Sequence, residues 1–165
     1  VIINSCTCFS EETDIVAFAA TSIRTVENRD AIFPNVLFNH GDAYHANTGY
    51  FVTPFAGLYI FSFQVCISTD RPRYQSDEDP ILSAGIFRQK TPYNLNDERC
   101  DEYEDPYCKI LYGIAEIDEG EPVWCEASIR EYASLESGQF SGTLLKDFDG
   151  KTTCTAYTTN FYSKL

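Results

Sequence analysis

Two acidic segments carry the side chains best suited to bind a cation. NDERCDEYEDPYC spans residues 96–108, and QSDEDP spans residues 75–80. Calcium prefers several carboxylate and carbonyl oxygens on a flexible loop, and the longer segment offers four carboxylates, those of Asp101, Glu102, Glu104 and Asp105. Because like charges this dense repel one another, we interpret both segments as solvated loops, and a calcium site in the longer one is the alternative. Calcium is therefore the one cofactor that the sequence suggests.

Two further motifs resemble parts of metal sites. His40 and His45 enclose an aspartate in HGDAYH and could bind zinc or copper, but histidines beside a glycine commonly only end strands. The segment DFDG at residues 147–150 resembles the start of an EF-hand loop, yet it lacks the further oxygen ligands and the distant glutamate. We therefore interpret the histidines as residues that end strands and DFDG as a turn.

Seven cysteines indicate disulfide bonds and an oxidising compartment. No two of them form the CxxC pair that zinc sites use, so all seven are disulfide candidates: Cys6, Cys8, Cys66, Cys100, Cys108, Cys125 and Cys154. Cys100 and Cys108 could close a small loop, and the odd number leaves at least one thiol free or paired between chains. The alternative is that the cysteines are reduced, small core residues. We expect a secreted, extracellular protein.

The sequence contains no recognisable catalytic motif. It has no Gly-x-Ser-x-Gly elbow, no phosphate-binding glycine loop and no HExxH segment. Cysteines that are expected to be oxidised are also poor nucleophiles. We therefore expect no enzymatic activity.

The formal charge of -13 limits the partners that this chain can bind. Nucleic-acid backbones and anionic membrane surfaces would have to bind against the repulsion of the chain's own field, so we expect neither nucleic-acid binding nor membrane insertion. Cations and basic protein surfaces fit better. With 165 residues, of which 44% are hydrophobic, the chain is long enough to bury the core of one domain and too short for two ordinary ones.

Apolar residues recur with a period of two, which predicts an all-β fold. About ten strands in one chain of this length are typical of a sandwich or jelly roll, because two packed sheets bury alternate faces without leaving long bare edges. The predicted strands span residues 15–20, 35–38, 44–47, 50–52, 57–67, 82–89, 108–117, 122–129, 139–146 and 153–162.

The segment GLYIFSFQV at residues 57–65 has two different faces. Alternation directs Tyr59, Phe61, Phe63 and Val65 to one side and Leu58, Ile60, Ser62 and Gln64 to the other. The first face is wholly apolar and predicts a core position. The second is partly apolar, which favours a position near a subunit interface.

Several motifs resemble the globular C1q domain in order and spacing. They are AFAA at 17–20, IF at 32–33, VLFN at 36–39, TGYFVTPFAGLYIFSFQV at 48–65, GEPVW at 120–124 and FSGTLL at 140–145. The block at 48–65 is the most specific. The resemblance spans residues 15–145, with an extension at residues 1–14 that holds Cys6 and Cys8 and another at residues 146–165 that holds Cys154.

The resemblance implies a ten-stranded jelly roll, shared with tumour necrosis factor, that packs as a compact homotrimer. It places five residues in the core or at the subunit contact: Tyr59, Phe61, Phe63, Phe140 and Leu144. Because both extensions lie outside the family pattern, we expect Cys154 to bond with Cys6 or Cys8 and to join the two ends. The acidic insertion falls near loops where some family members bind calcium.

The function expected from the resemblance is recognition of a polyvalent ligand by trimer loops, with or without calcium. The ligand would be a microbial glycan, lipopolysaccharide or a protein receptor. Trp124 and Tyr112 could stack on sugar rings, although their positions in strands favour packing. Two alternatives stay open: an acidic, calcium-binding structural protein of a matrix, mucus or biomineral, and a signalling ligand similar to tumour necrosis factor.

Overall fold

Strands follow one another along almost the whole chain. The computed structural model describes residues 3–9, 15–25, 29–69, 82–90, 93–100, 107–131, 133–148 and 153–159. The strands are β1 Ile3–Phe9, β2 Ala17–Thr21, β3 Arg24–Thr25, β4 Asp30–Ile32, β5 Asn35–His40, β6 Tyr44–His45, β7 Tyr50–Val52, β8 Gly57–Thr69, β9 Leu82–Arg88, β10 Asn94–Cys100, β11 Tyr107–Ile117, β12 Pro122–Ile129, β13 Ala133–Asp147 and β14 Thr153–Thr159. Within these ranges there is no helix that could span a membrane.

Two sheets enclose the core, as the all-β jelly-roll prediction requires, and this prediction is confirmed. One sheet has the strand order β11-β8-β13-β2-β5. The other has the order β10-β9-β12-β4-β3, with β7 paired to β12 and β6 paired to β7. All of these pairings are antiparallel.

The apolar face predicted for residues 57–65 lies in this core. Tyr59, Phe61, Phe63 and Phe140 have no exposed surface, and Leu144 is half-buried against them. Burying a side chain of this size stabilises the fold by about 1.5–3 kcal/mol. The rings also meet edge to face or offset, for example Phe18 and Phe140 with centroids 4.9 Å apart.

The glycine of the TG motif has a steric role. Gly49 has a φ of 77°, a left-handed conformation that side chains with a Cβ adopt at a cost. A Cβ at this position would also collide with the carbonyl oxygen of Ala31. Gly49 therefore allows the turn before β7 to pass close to β4.

The acidic segment at residues 96–108 was predicted to be a loop, and this prediction is wrong at both ends of the segment. Its first part belongs to β10, which pairs with β9 at the edge of its sheet, and its last two residues open β11. An edge strand tolerates charged side chains because one of its sides faces solvent. Leu95 packs against the core and anchors this strand.

The described residues contain one disulfide bond, between Cys66 and Cys108. The two cysteines lie opposite each other on β8 and β11. The suggested loop closed by Cys100 and Cys108 is therefore wrong, because the strand register brings Cys108 to a partner that is distant in sequence.

Cys125 is a free thiol in the core. Burial raises the pKa of this thiol well above its usual range, so it stays protonated at neutral pH. A thiol without exposed surface cannot link two chains. If a cysteine of this chain forms an intermolecular bond, it is one of the four outside the Cys66–Cys108 bond: Cys6, Cys8, Cys100 or Cys154.

The two predicted extensions pair with each other. β1 and β14 form a two-stranded antiparallel sheet in which Cys8 lies opposite Cys154 and Cys6 lies opposite Ala156. The bond from Cys154 to Cys6 or Cys8 stays a prediction, and the register favours Cys8.

Candidate functional site

The predicted calcium ligands Asp101, Glu102, Glu104 and Asp105 lie outside the described residues. His40 and His45 are described, and both are exposed. In the described part of the chain, no group of three His, Cys, Asp or Glu side chains could hold a metal ion. Of DFDG, only Asp147 and Phe148 are described. The candidate binding surfaces among the described residues are therefore the outer faces of the two sheets.

The outer face of the five-stranded sheet is free of formal charge over three consecutive cross-strand rows. Residues directly opposite each other in a sheet share a face, and each row crosses β11, β8, β13, β2 and β5 in turn. The rows are Ile110, Gln64, Gln139, Thr21 and Asn35; then Tyr112, Ser62, Ser141, Ala19 and Phe38; then Ile114, Ile60, Thr143, Ala17 and His40. We call these residues the uncharged face.

Large apolar side chains of the uncharged face are open to solvent. Ile114 is 62% exposed, Tyr112 59%, Ile110 48% and Phe38 44%. The first three lie together on one face of β11, and Phe38 lies on β5 at the opposite edge of the sheet. Exposed apolar side chains on an uncharged face, in a chain with a net charge of -13, are typical of a protein interface. Its polar members are small or neutral, so that they add no charge that would have to be desolvated on contact.

The other sheet carries an aromatic cluster on its outer face. Trp124 on β12 stacks on Tyr50 with centroids 5.3 Å apart and meets Tyr93 edge to face at 5.4 Å. Phe87, opposite Trp124 in the register, lies 5.2 Å from Tyr93. Trp124 is nearly buried beneath these rings, whereas Tyr93 is 50% exposed.

Two carboxylates border these rings and complete what we call the aromatic–acidic cluster: Tyr50, Phe87, Tyr93, Trp124, Asp30 and Glu126. Tyr50 donates a hydrogen bond to Asp30 Oδ2 at 3.2 Å. Trp124 Nε1 and the Tyr93 hydroxyl donate to Glu126 Oε1 at 3.1 and 3.3 Å.

The carboxylates also affect the tyrosines electrostatically. Burial, and after it the charge of Asp30, raises the pKa of Tyr50. Burial, and after it the charge of Glu126, raises the pKa of Tyr93. Both hydroxyls therefore stay protonated and act as donors to these carboxylates at neutral pH.

A buried ion pair lies at one end of the sandwich. Arg88 donates to both carboxylate oxygens of Glu121 at 2.7 Å and to the backbone oxygen of Glu116 at 2.9 Å. The backbone N–H of Lys90 also donates to Glu121, at 2.9 Å. Burial alone would raise the pKa of Glu121, but the hydrogen bond from Arg88 and the backbone donors outweigh it and lower the pKa. The hydrogen bonds given above join both side chains to other groups of this domain. We therefore interpret the pair as stabilising the fold and not as a ligand site.

Residues 17–96 match the family model of the C1q domain. This segment belongs to the C1q domain family. The match covers β2 to β9 and includes the TG block that was singled out from the sequence.

The C1q domain is also similar to a solved structure, the globular domain of zebrafish complement 1qA protein. The two are 18% identical, the likeness covers 81% of this chain and 98% of that one, and the TM-score is 0.57. A likeness at this identity establishes a shared fold.

One curated relative is similar over a short stretch. The heavy metal-binding protein HIP of Mytilus edulis is 42% identical over 59 residues, which are 33% of this chain and 28% of the relative. The chain thus spans less than a third of that relative's length.

Sequence inspection missed the aromatic–acidic cluster and the Arg88–Glu121 pair of this C1q domain. Alternation along β12 does place Trp124 and Glu126 on one face. The remaining members come from β4, β7, β9 and the residue before β10, and only the strand order makes them neighbours. Trp124 does pack, as was expected, whereas Tyr112 is exposed on the uncharged face.

Proposed function

We propose that this C1q domain is an extracellular recognition module that assembles into a homotrimer and binds a polyvalent ligand without catalysing a reaction. The uncharged face is the observation that carries the proposal. It offers apolar surface for contact between identical subunits and leaves the charged loops and the opposite sheet for ligands. Three weak sites held rigidly together gain avidity without any new contact.

Replacing Tyr112 with lysine tests this assembly. A charge placed in the middle row of the uncharged face must be desolvated without a partner, so we expect the trimer to dissociate at least about tenfold more readily. Sedimentation equilibrium, with calcium and then with chelator, measures the change. Tyr93→Lys is the matched control, because Tyr93 is an exposed tyrosine on the opposite sheet; it is expected to sediment as the wild type does. A monomeric wild type, or equal effects of the two variants, would contradict the proposal.

A second candidate function is the binding of divalent cations by the acidic segment. Similarity to a relative named as heavy metal-binding favours it, together with the density of carboxylates around Asp101, Glu102, Glu104 and Asp105. Both calcium and a softer cation such as cadmium are then candidate ligands. Assembly that grows without limit as calcium is added would favour the structural role in a matrix over recognition.

Calorimetric titration with Ca²⁺ and with Cd²⁺ tests this second candidate. The variant in which Asp101, Glu102, Glu104 and Asp105 are changed to their amides is expected to lose saturable binding, because amides supply fewer charged oxygens. Changing Asp77, Glu78 and Asp79 to their amides provides a control with a similar change of net charge. Equal loss in both variants would mean diffuse attraction and no site in the longer segment.

A further inference from the structure

We infer that the aromatic–acidic cluster binds an arginine side chain of a basic protein partner. The inference rests on the proposed recognition function and names the partner's chemistry. The site lies on the sheet opposite the uncharged face, so that it stays open when identical subunits meet through that face.

The cluster contains two carboxylates that have no counter-ion among the described residues. Glu126 on β12 and Asp30 on β4 lie directly opposite each other in the register. Like charges in this position destabilise a sheet unless a cation lies between them. Neither carboxylate forms an ion pair with any described basic residue. Arg24, which lies on the neighbouring strand β3 opposite Ile32, does not reach them.

Each carboxylate also keeps an oxygen available to a ligand. Within the described residues, the tyrosine and indole hydrogen bonds engage Asp30 Oδ2 and Glu126 Oε1 only. Asp30 Oδ1 and Glu126 Oε2 accept no hydrogen bond from these residues. Both side chains are partly exposed, so a donor from outside can approach them.

The rings of the cluster are accessible to a cation. Tyr93 is half-exposed and Tyr50 and Phe87 are partly exposed, and aromatic faces attract cations through the ring quadrupole. Their contacts with Trp124 hold them in place. Because these rings are already held in place, binding a cation would immobilise few additional side chains, and the entropic cost of binding stays low.

The combination favours a guanidinium over other cations. Its planar group stacks on rings while its five N–H donors reach carboxylates on either side. A trimethylammonium group has no N–H for the two open oxygens. A calcium ion requires about six to eight oxygen ligands, and the cluster has no group of three metal-binding side chains.

Trp124 makes the inference directly testable, because it is the one tryptophan in the chain. The peptide acetyl-Gly-Arg-Gly-Arg-Gly-amide is titrated at low ionic strength while Trp124 emission is recorded. Control peptides carry citrulline, a neutral isostere, or trimethyllysine in place of each arginine. We expect saturable change with the arginine peptide and at least about tenfold weaker binding of both controls. Citrulline binding as tightly as arginine, or trimethyllysine binding more tightly, would overturn the inference.

Substitutions locate the site by anisotropy of the fluorescently labelled arginine peptide. Glu126→Gln keeps an acceptor for Trp124 Nε1, so the fold is retained, and affinity is expected to fall about tenfold, as with Asp30→Asn. Glu119→Gln, at an exposed turn, removes the same charge elsewhere and is expected to bind normally. Equal weakening by Glu119→Gln would reveal attraction to net charge alone and overturn the inference.

The Tyr112→Lys variant separates this inference from the proposed function. If that variant binds the peptide with wild-type affinity per chain, the site is present whatever the oligomeric state. If wild-type trimers form but no peptide binds, the site assignment is wrong and the assembly stands.

Discussion

Phe61→Asp is expected to abolish folding. Phe61 has no exposed surface and contacts Phe51 and Phe140 with centroids 5.4 and 6.0 Å away. Truncating a buried phenylalanine costs about 3–5 kcal/mol, and an unpaired carboxylate in the same place adds several more. Their sum reaches the whole stability of an ordinary domain, which is about 5–15 kcal/mol. Near-ultraviolet circular dichroism and thermal unfolding measure the loss.

Phe38→Asp is the matched control for this prediction. Phe38 lies on the outer face of the same sheet and is 44% exposed, so the variant is expected to keep its fold. A cooperative transition of Phe61→Asp at the wild-type temperature would contradict the assignment of Phe61 to the core.

Arg88→Met is expected to destabilise the fold by about 3–5 kcal/mol at neutral pH, because it leaves the Glu121 carboxylate buried without its cation. The two side chains are only 9% and 2% exposed. Urea unfolding measures the change. The double variant Arg88→Met/Glu121→Leu removes both charges and is expected to recover most of the lost stability. A single variant that unfolds at the wild-type urea concentration would contradict this account of the pair.

The pH dependence of this effect has a definite sign. The pKa of Glu121 is lowered in the folded wild type, so its contribution is fully present above the unfolded pKa and is lost as the pH falls through the folded pKa. In Arg88→Met the same carboxyl is buried without a cation and its pKa rises. The difference between the two proteins is therefore expected to shrink as the pH is lowered.

Hydrophobic alternation was sufficient to predict those features of the fold that depend on a single strand. The alternation in residues 57–65 predicted which side of β8 is buried, because every second side chain must face the same way. The same reasoning failed at β10, where an edge position allows a charged sequence to form a strand. Short strands such as β3 and β4 have too few residues to show a period.

Features that depend on which strands are neighbours were not accessible from the sequence. Cys66 and Cys108 are 42 residues apart, and their bond follows from the pairing of β8 with β11. Asp30 and Glu126 become a pair only because β4 and β12 are adjacent. The aromatic motif at residues 48–65 predicted the fold. The aromatic–acidic cluster, in contrast, is built from residues that no single motif contains.

The disulfide between Cys66 and Cys108 also bears on how the protein can be produced. β11 is one of the two edge strands of its sheet, and it presents Ile110, Tyr112 and Ile114 to solvent. An edge with these side chains is the part of a sheet best able to recruit a strand from another molecule and start aggregation. The covalent link to β8 keeps this edge in register while the chain folds. Expression in a reducing cytoplasm removes that safeguard, and secretion into an oxidising compartment preserves it.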